Sequence, residues 1–202
     1  MATRAEAAKA TDRRVETALV KLLTAKPYGA ITIADIAREA NVCERTVQRH
    51  YRTKNDLLAL SVGYPAGLVA QEYSKRSPAQ SPGEAVRDMV EGLFAIYDRH
   101  STEAWTAHRL VTEVPELRGA LRAGIETRAS HIDTLIKRWP KAWAVDKELA
   151  RRTMLALTSF LTWRALTEYS GFSAPEAAKF ITGLLCRSLL LRRGESGAGE
   201  SP

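Results

Sequence analysis

Ile31 to Lys54 reads ITIADIAREANVCERTVQRHYRTK: two short helical patterns joined by a tight turn, the second ending in a cluster of basic and polar side chains. Thr32 and Asp35 make a T-x-x-D start signal. The threonine hydroxyl can accept a free backbone N–H, and the carboxylate complements the positive helix end. A helix is therefore predicted to begin near Ile33. Ile36, Ala37 and Ala40 recur at helical spacing on one apolar face, and Asn41 supplies a residue tolerant of positive φ where the chain turns. Val42 is expected to plug the angle between the helices. The second helix is predicted over Cys43 to Tyr51. Its Val47 and Tyr51, at i and i+4, face inward, which leaves Glu44, Arg45, Gln48 and Arg49 on the outer face. An outer face of that chemistry fits the major groove of duplex DNA.

From about Val15 to Leu58 the chain resembles the DNA-binding region of the TetR family of bacterial transcription regulators. The family pattern is T-x-x-x-I-A-x-x-A-G-V-S-x-x-T-x-Y-x-H-F-x-x-K-x-x-L. This chain answers it with Thr32, Ile36, Ala37, Ala40, Val42, Thr46, His50, Lys54 and Leu57, and departs from it with Asn41 for Gly, Cys43 for Ser, Gln48 for Tyr and Tyr51 for Phe. The resemblance implies an all-α chain. Residues 1–60 would form an N-terminal three-helix, helix-turn-helix DNA-binding domain, with 1–11 as a flexible basic arm. Residues 61–193 would form a helical ligand-binding and dimerisation domain. By position in the motif, Glu44, Arg45 and Gln48 would face base edges, and Thr32, Thr46, His50 and Lys54 would hold phosphates. Arg49 and Tyr51 complete the expected DNA-binding set. The implied protein is a dimeric repressor of transcription on double-stranded DNA, relieved by a small apolar effector. Its operator would be an inverted repeat, because two half-sites need two recognition helices.

Composition agrees with this reading. The chain has 202 residues, 45% of them hydrophobic, and a net charge of +7, enough for one or two domains with a substantial core. Residues 1–60 hold 11 Lys and Arg against 7 Asp and Glu, whereas the remaining 142 hold 19 against 16. The basic excess per residue is thus concentrated at the N-terminal end, as a phosphate-facing module requires. A solvated surface would give the same excess on its own.

Two cysteines, Cys43 and Cys186, offer no disulfide framework, and a reducing, cytoplasmic setting is expected. The N-terminal charges leave no apolar core of signal-peptide length, and no apolar run approaches the ~20 residues that span a bilayer. Cys43 reads as a small substitute for Ser at a helix cap, with a redox role as the alternative. At 100° per residue His100 and His108 would point about 80° apart on a continuous helix, and Ser101-Thr102 is expected to interrupt it, so these two and Glu113 read as ordinary polar residues rather than metal ligands; His131 reads the same way. No metal, cofactor or catalytic site is expected, since the chain lacks a nucleophile elbow, a Gly-rich phosphate loop and paired carboxylates. The alternatives to an effector-controlled regulator are a helical adaptor and a DNA-binding protein that answers to no ligand.

Helices are predicted nearly throughout. Val15, Ala18, Leu19, Leu22 and Leu23 draw the stripe of the first, which Pro27-Tyr28-Gly29 stops. Thr53 with Asp56 caps a fourth, carrying Leu57, Leu58 and Val62, which Pro65 should kink or end. A loop is expected over 77–83. Ser81 and Glu84 then open a helix that runs to about His100, followed by helices over about 102–112, from Pro115 to about Ile136, over about 146–169, and from the capping signal Ser173-Ala-Pro-Glu176 to Leu191. The Gly, Ser and Glu residues of 194–202 read as a disordered tail.

The last two helices carry apolar residues over more than one stripe, which asks for burial on more than one side. A homodimer through these helices would supply it, with Gly183, Ala177 and Ala178 allowing close approach; a central position in a monomeric bundle is the alternative. The expected effector site is lined by Met89, Phe94, Tyr97, Trp105, His108, Phe160 and Trp163, a set of aromatic, Met and polar groups suited to a small apolar molecule. Simple core packing would use the same residues.

Overall fold

The computed structural model describes residues 4–62 and 79–191, and among them the chain is all-α, with one isolated bridge between Trp143 and Leu190. In chain order the helices are α1 (Arg4–Ala25), α2 (Ile33–Glu39), α3 (Glu44–His50), α4 (Lys54–Val62), α5 (Pro82–Arg99), α6 (Ser101–Leu110), α7 (Glu116–Arg138), α8 (Lys147–Leu157), α9 (Phe160–Arg164) and α10 (Ala174–Leu189). A 3₁₀ turn (Tyr28–Ala30) follows α1, and a π-helical turn (Ala165–Tyr169) follows α9. The kink expected at Pro65 and the tail expected over 194–202 lie outside the described residues, as do residues 77 and 78 of the expected loop.

The chain forms two compact units. The first gathers the described part of Met1–Pro65 with His100–Gly124. Val15 and Leu19 of α1, Ile36 of α2, Val47 of α3, and Leu57 and Leu58 of α4 are completely buried in one cluster. That cluster also holds Ala107, Leu110, Val114 and Leu117, so the N-terminal module takes in α6 and the first turns of α7, beyond the boundary expected at residue 60. The reason lies in element length. Helices α2, α3 and α4 have only 7, 7 and 9 residues, and a unit this small needs further apolar surface to exclude water from its core. Residues 4–11, expected as a flexible arm, are continuous with α1; Ala5, Ala7, Ala8 and Ala10 carry the highest helix propensity available.

The second unit joins the described part of Ala66–Arg99 with that of Ile125–Pro202. Helix α10 packs along α5, with Ala177, Ala178, Ile181, Leu185 and Leu189 buried on one side and Val86, Met89, Val90, Leu93, Phe94 and Tyr97 on the other. Ala177 and Ala178 therefore serve this unit's own core rather than the approach of another subunit. The single helix expected over 146–169 is broken after Leu157. Thr158 turns its hydroxyl back to the Met154 carbonyl at 2.6 Å, and the Ser159 hydroxyl accepts the Thr162 N–H at 3.1 Å. Hydroxyls that bond their own backbone compete with the helical ladder, and here they stop one helix and start the next.

Candidate nucleic-acid interface

The two helices of the motif are set by local chemistry. Thr32 and Asp35 complete a capping box at the start of α2. Lys26 donates to Asp35 at 2.7 Å and, together with the Thr32 bonds, holds that carboxyl well below the usual carboxylate range. Asn41 takes φ +52°, the left-handed geometry expected at the turn. The Val42 N–H returns to the Ala37 carbonyl at 2.9 Å. Cys43 is the N-cap residue of α3, and its Sγ lies 3.1 Å from Thr46 Oγ1. That hydrogen bond lowers the thiol pKa from its ordinary value.

Helix α3 presents the face predicted for it. Val47 is completely buried, while Glu44, Arg45, Gln48 and Arg49 are exposed. Tyr51 is not on that face: it is 6% exposed, and its hydroxyl donates to Glu16 Oε1 of α1 at 3.2 Å. Burial, with Glu16 and Asp12 beside it, pushes the phenol well above its ordinary pKa. Tyr51 is therefore a core residue that seats the helix, because an i, i+4 partner of Val47 shares its inward direction. The end of α3 is tied to α1 at Asp12 as well, where His50 Nδ1 meets Asp12 Oδ1 at 2.6 Å and the Tyr51 hydroxyl makes longer contacts at 3.5 Å.

The residues matched to phosphate contacts differ in how far they are engaged within the protein. Thr32 is exposed, but its hydroxyl is held in the capping box. The Lys54 ammonium donates to the carbonyls of Tyr28 at 3.1 Å and Ile31 at 2.8 Å and sits 4.2 Å from the Tyr28 ring centroid. Burial lowers its pKa. It thus closes the 3₁₀ turn, a role that spacing alone does not reveal. Sequence reasoning also passed over Arg13 and Arg14, which with Thr17, Lys21 and Glu39 line an open groove of about 320 Å³ between α1 and α2. Their signal was present as the basic pair in the first helix.

A sequence model described as bacterial regulatory proteins of the tetR family matches residues 17–60. The match covers α2, α3 and the turn between them. Over 82 residues the chain is 32% identical to an uncharacterised HTH-type transcriptional regulator, YvkB, of Bacillus subtilis strain 168; the match spans 40% of each chain. The fold agrees with solved structures of transcription regulators along most of the length. A putative TetR-family regulator from Mesorhizobium loti superposes with a TM-score of 0.72 at 16% identity, covering 94% of this chain and 100% of the other. NalD of Pseudomonas aeruginosa, the secondary repressor of the MexAB-OprM multidrug efflux pump, gives 0.70 at 18% identity, with coverage of 94% and 100%. The family's DNA-binding module thus includes the whole of α2, α3 and their turn.

The expected effector residues divide between the units. Met89, Phe94, Tyr97, Phe160 and Trp163 are all buried in the second. There the Tyr97 ring lies 6.1 Å from Phe94, 5.6 Å from Phe160 and 6.2 Å from Trp163. Trp105 and His108 belong to the first unit; Trp105 is 37% exposed, and His108 Nδ1 lies 2.8 Å from the Ala104 carbonyl. Among the described residues, no group of His, Cys, Asp and Glu is arranged to hold a metal ion, and no helix is long and apolar enough to cross a membrane.

Proposed function

We propose that the protein is a sequence-specific transcription regulator, a homodimeric repressor that a small, largely apolar effector releases from an inverted-repeat operator. The observation that carries the DNA reading is α3 itself. Its buried Val47, with Tyr51 just beyond its end, anchors the helix, while Glu44, Arg45, Gln48 and Arg49 stand exposed together on the other side. Arginine is matched to guanine O6 and N7, and glutamine to adenine N6 and N7. NalD, of the same fold, is described as a repressor.

Dimerisation is supported by a second apolar stripe on α10. Phe180, 43% exposed, and half-buried Leu184 lie at i and i+4, beside the buried stripe of Ile181 and Leu185. Leu149 and Leu161, on α8 and α9, are 49% and 52% exposed. The effector reading rests on the aromatic cluster of the second unit around Tyr97.

Selection of duplex DNA from a random pool by the purified protein tests the DNA reading. An inverted repeat is expected, with half-sites about 34 Å apart or somewhat more. Arg45→Ala should relax preference at one base pair per half-site, by about 1 to 3 kcal/mol. Recovery of unenriched sequence, with binding that ignores salt, would remove the proposal.

A further inference from the structure

We propose that the effector carries a carboxylate, and that Arg128 and Trp163 of the second unit hold it beside Tyr97. This rests on the reading of the protein as an effector-controlled regulator.

Tyr97 is 3% exposed among Phe94, Phe160 and Trp163. Its hydroxyl is committed within the protein. It accepts from Arg128 Nη1 at 3.0 Å and donates to the Thr158 carbonyl at 3.0 Å. A guanidinium, a cationic fork of donors, thus reaches from a half-buried position to the aromatic cluster. Its remaining bond is the long contact of Nη2 with the Leu155 carbonyl, 3.4 Å. Arg128 Nε is buried without an acceptor, and among the described residues no carboxylate forms an ion pair with Arg128. The edge formed by Nε and Nη2 is the fork that binds a carboxylate through two parallel bonds.

A second donor in the same cluster is also unmatched. Trp163 is 4% exposed, stacks on Phe160 at 5.6 Å, and has a buried Nε1–H with no acceptor. An indole nitrogen only donates, and buried donors in folded proteins have acceptors as a rule. One carboxylate has the charge that Arg128 lacks opposite it and the acceptor capacity for both groups. Trp163 lies just before the π-helical turn Ala165–Tyr169, a local widening of the helix that recurs at functional sites. The aromatic rings around Tyr97 suit an alkyl or aryl tail, so the ligand class is a small amphipathic carboxylic acid. A cationic ligand would meet Arg128 with like charge.

The test titrates the full-length protein with octanoate and phenylacetate, and with octan-1-ol and 2-phenylethanol as uncharged counterparts. Tryptophan fluorescence and the melting temperature report binding. At least one acid should bind saturably and about tenfold or more tighter than its alcohol. Arg128→Gln should weaken the acid by about tenfold or more and leave the alcohol unchanged. Arg128→Lys, which keeps the charge and loses the fork, should fall between, and Trp163→Phe should weaken the acid alone. Circular dichroism and operator binding without ligand establish that the variants are folded. Absence of saturable binding by both acids overturns the proposal, as does equal affinity for acid and alcohol or an acid affinity indifferent to Arg128→Gln. An alcohol that binds and releases operator would preserve the effector reading while removing the carboxylate. Conversely, an acid held through Arg128 that never alters operator affinity would remove the effector reading and leave the anion site.

Discussion

His50 Nδ1 lies 2.6 Å from Asp12 Oδ1, which fastens the last turn of α3 to α1. A carboxylate only accepts, so Nδ1 carries the proton in this pair. In the neutral ring Nε2 is then an acceptor, and only the imidazolium form can donate to a phosphate through it. Asp12 thus positions the end of α3, and with it the proposed DNA-reading face. Asp12→Ala should destabilise the fold by about 1 kcal/mol and weaken operator and random duplex by the same factor. Melting curves and paired affinity measurements check this; a change in base preference would show that Asp12 acts on the contacts themselves.

Lys54 separates two roles that the motif position does not distinguish. Its ammonium bonds the carbonyls of Tyr28 and Ile31. Lys54→Ala should therefore lower stability by about 1.5 to 3 kcal/mol, the range for hydrogen bonds to a charged group. A pure phosphate contact would instead leave the melting temperature alone and reduce the salt slope by roughly one phosphate per subunit. Thermal melts and affinity against salt, measured on one variant, decide between them.

Glu16 makes stability depend on pH. Burial raises its carboxyl above the ordinary 4.5, and the Tyr51 hydrogen bond offsets part of the rise. With the folded value above the unfolded one, the contribution of Glu16 is fully present below about pH 4.5 and is lost as pH rises through the folded value. Glu16→Gln keeps an acceptor for Tyr51 and cannot ionise. It should match wild type in acid and exceed it at neutral pH, as read from urea midpoints over roughly pH 4 to 8. A variant less stable than wild type at neutral pH would contradict this sign.

Phe180 tests the assembly. Its ring is 43% exposed in one subunit and packs 5.4 Å from Phe172, so Phe180→Glu should disturb the subunit less than a core change. In a dimer built on α10 the new charge would be buried without a partner, and monomers with little operator affinity should result. Sedimentation of the variant as a dimer would move the interface elsewhere.

The sequence by itself determined whatever depends on neighbours within a few residues. The capping boxes at Thr32 with Asp35 and at Ser173 with Glu176 are formed, the left-handed turn residue is Asn41, and Val47 is buried while Arg45 and Gln48 are exposed. Each follows from a side chain meeting its own backbone, or from a helical period of 3.6 residues, and so can be read along the chain. Tertiary structure decided what depends on partners far away in sequence. It brought Ala107, Leu110, Val114 and Leu117 into the core of the N-terminal unit and turned Lys54 from solvent to the carbonyls of a turn 23 to 26 residues earlier. It also set Arg128 against Tyr97 across 31 residues. A basic side chain on a helix has the same periodicity whether it faces water, a phosphate or a buried carbonyl, and only the packing of other elements against it selects among the three.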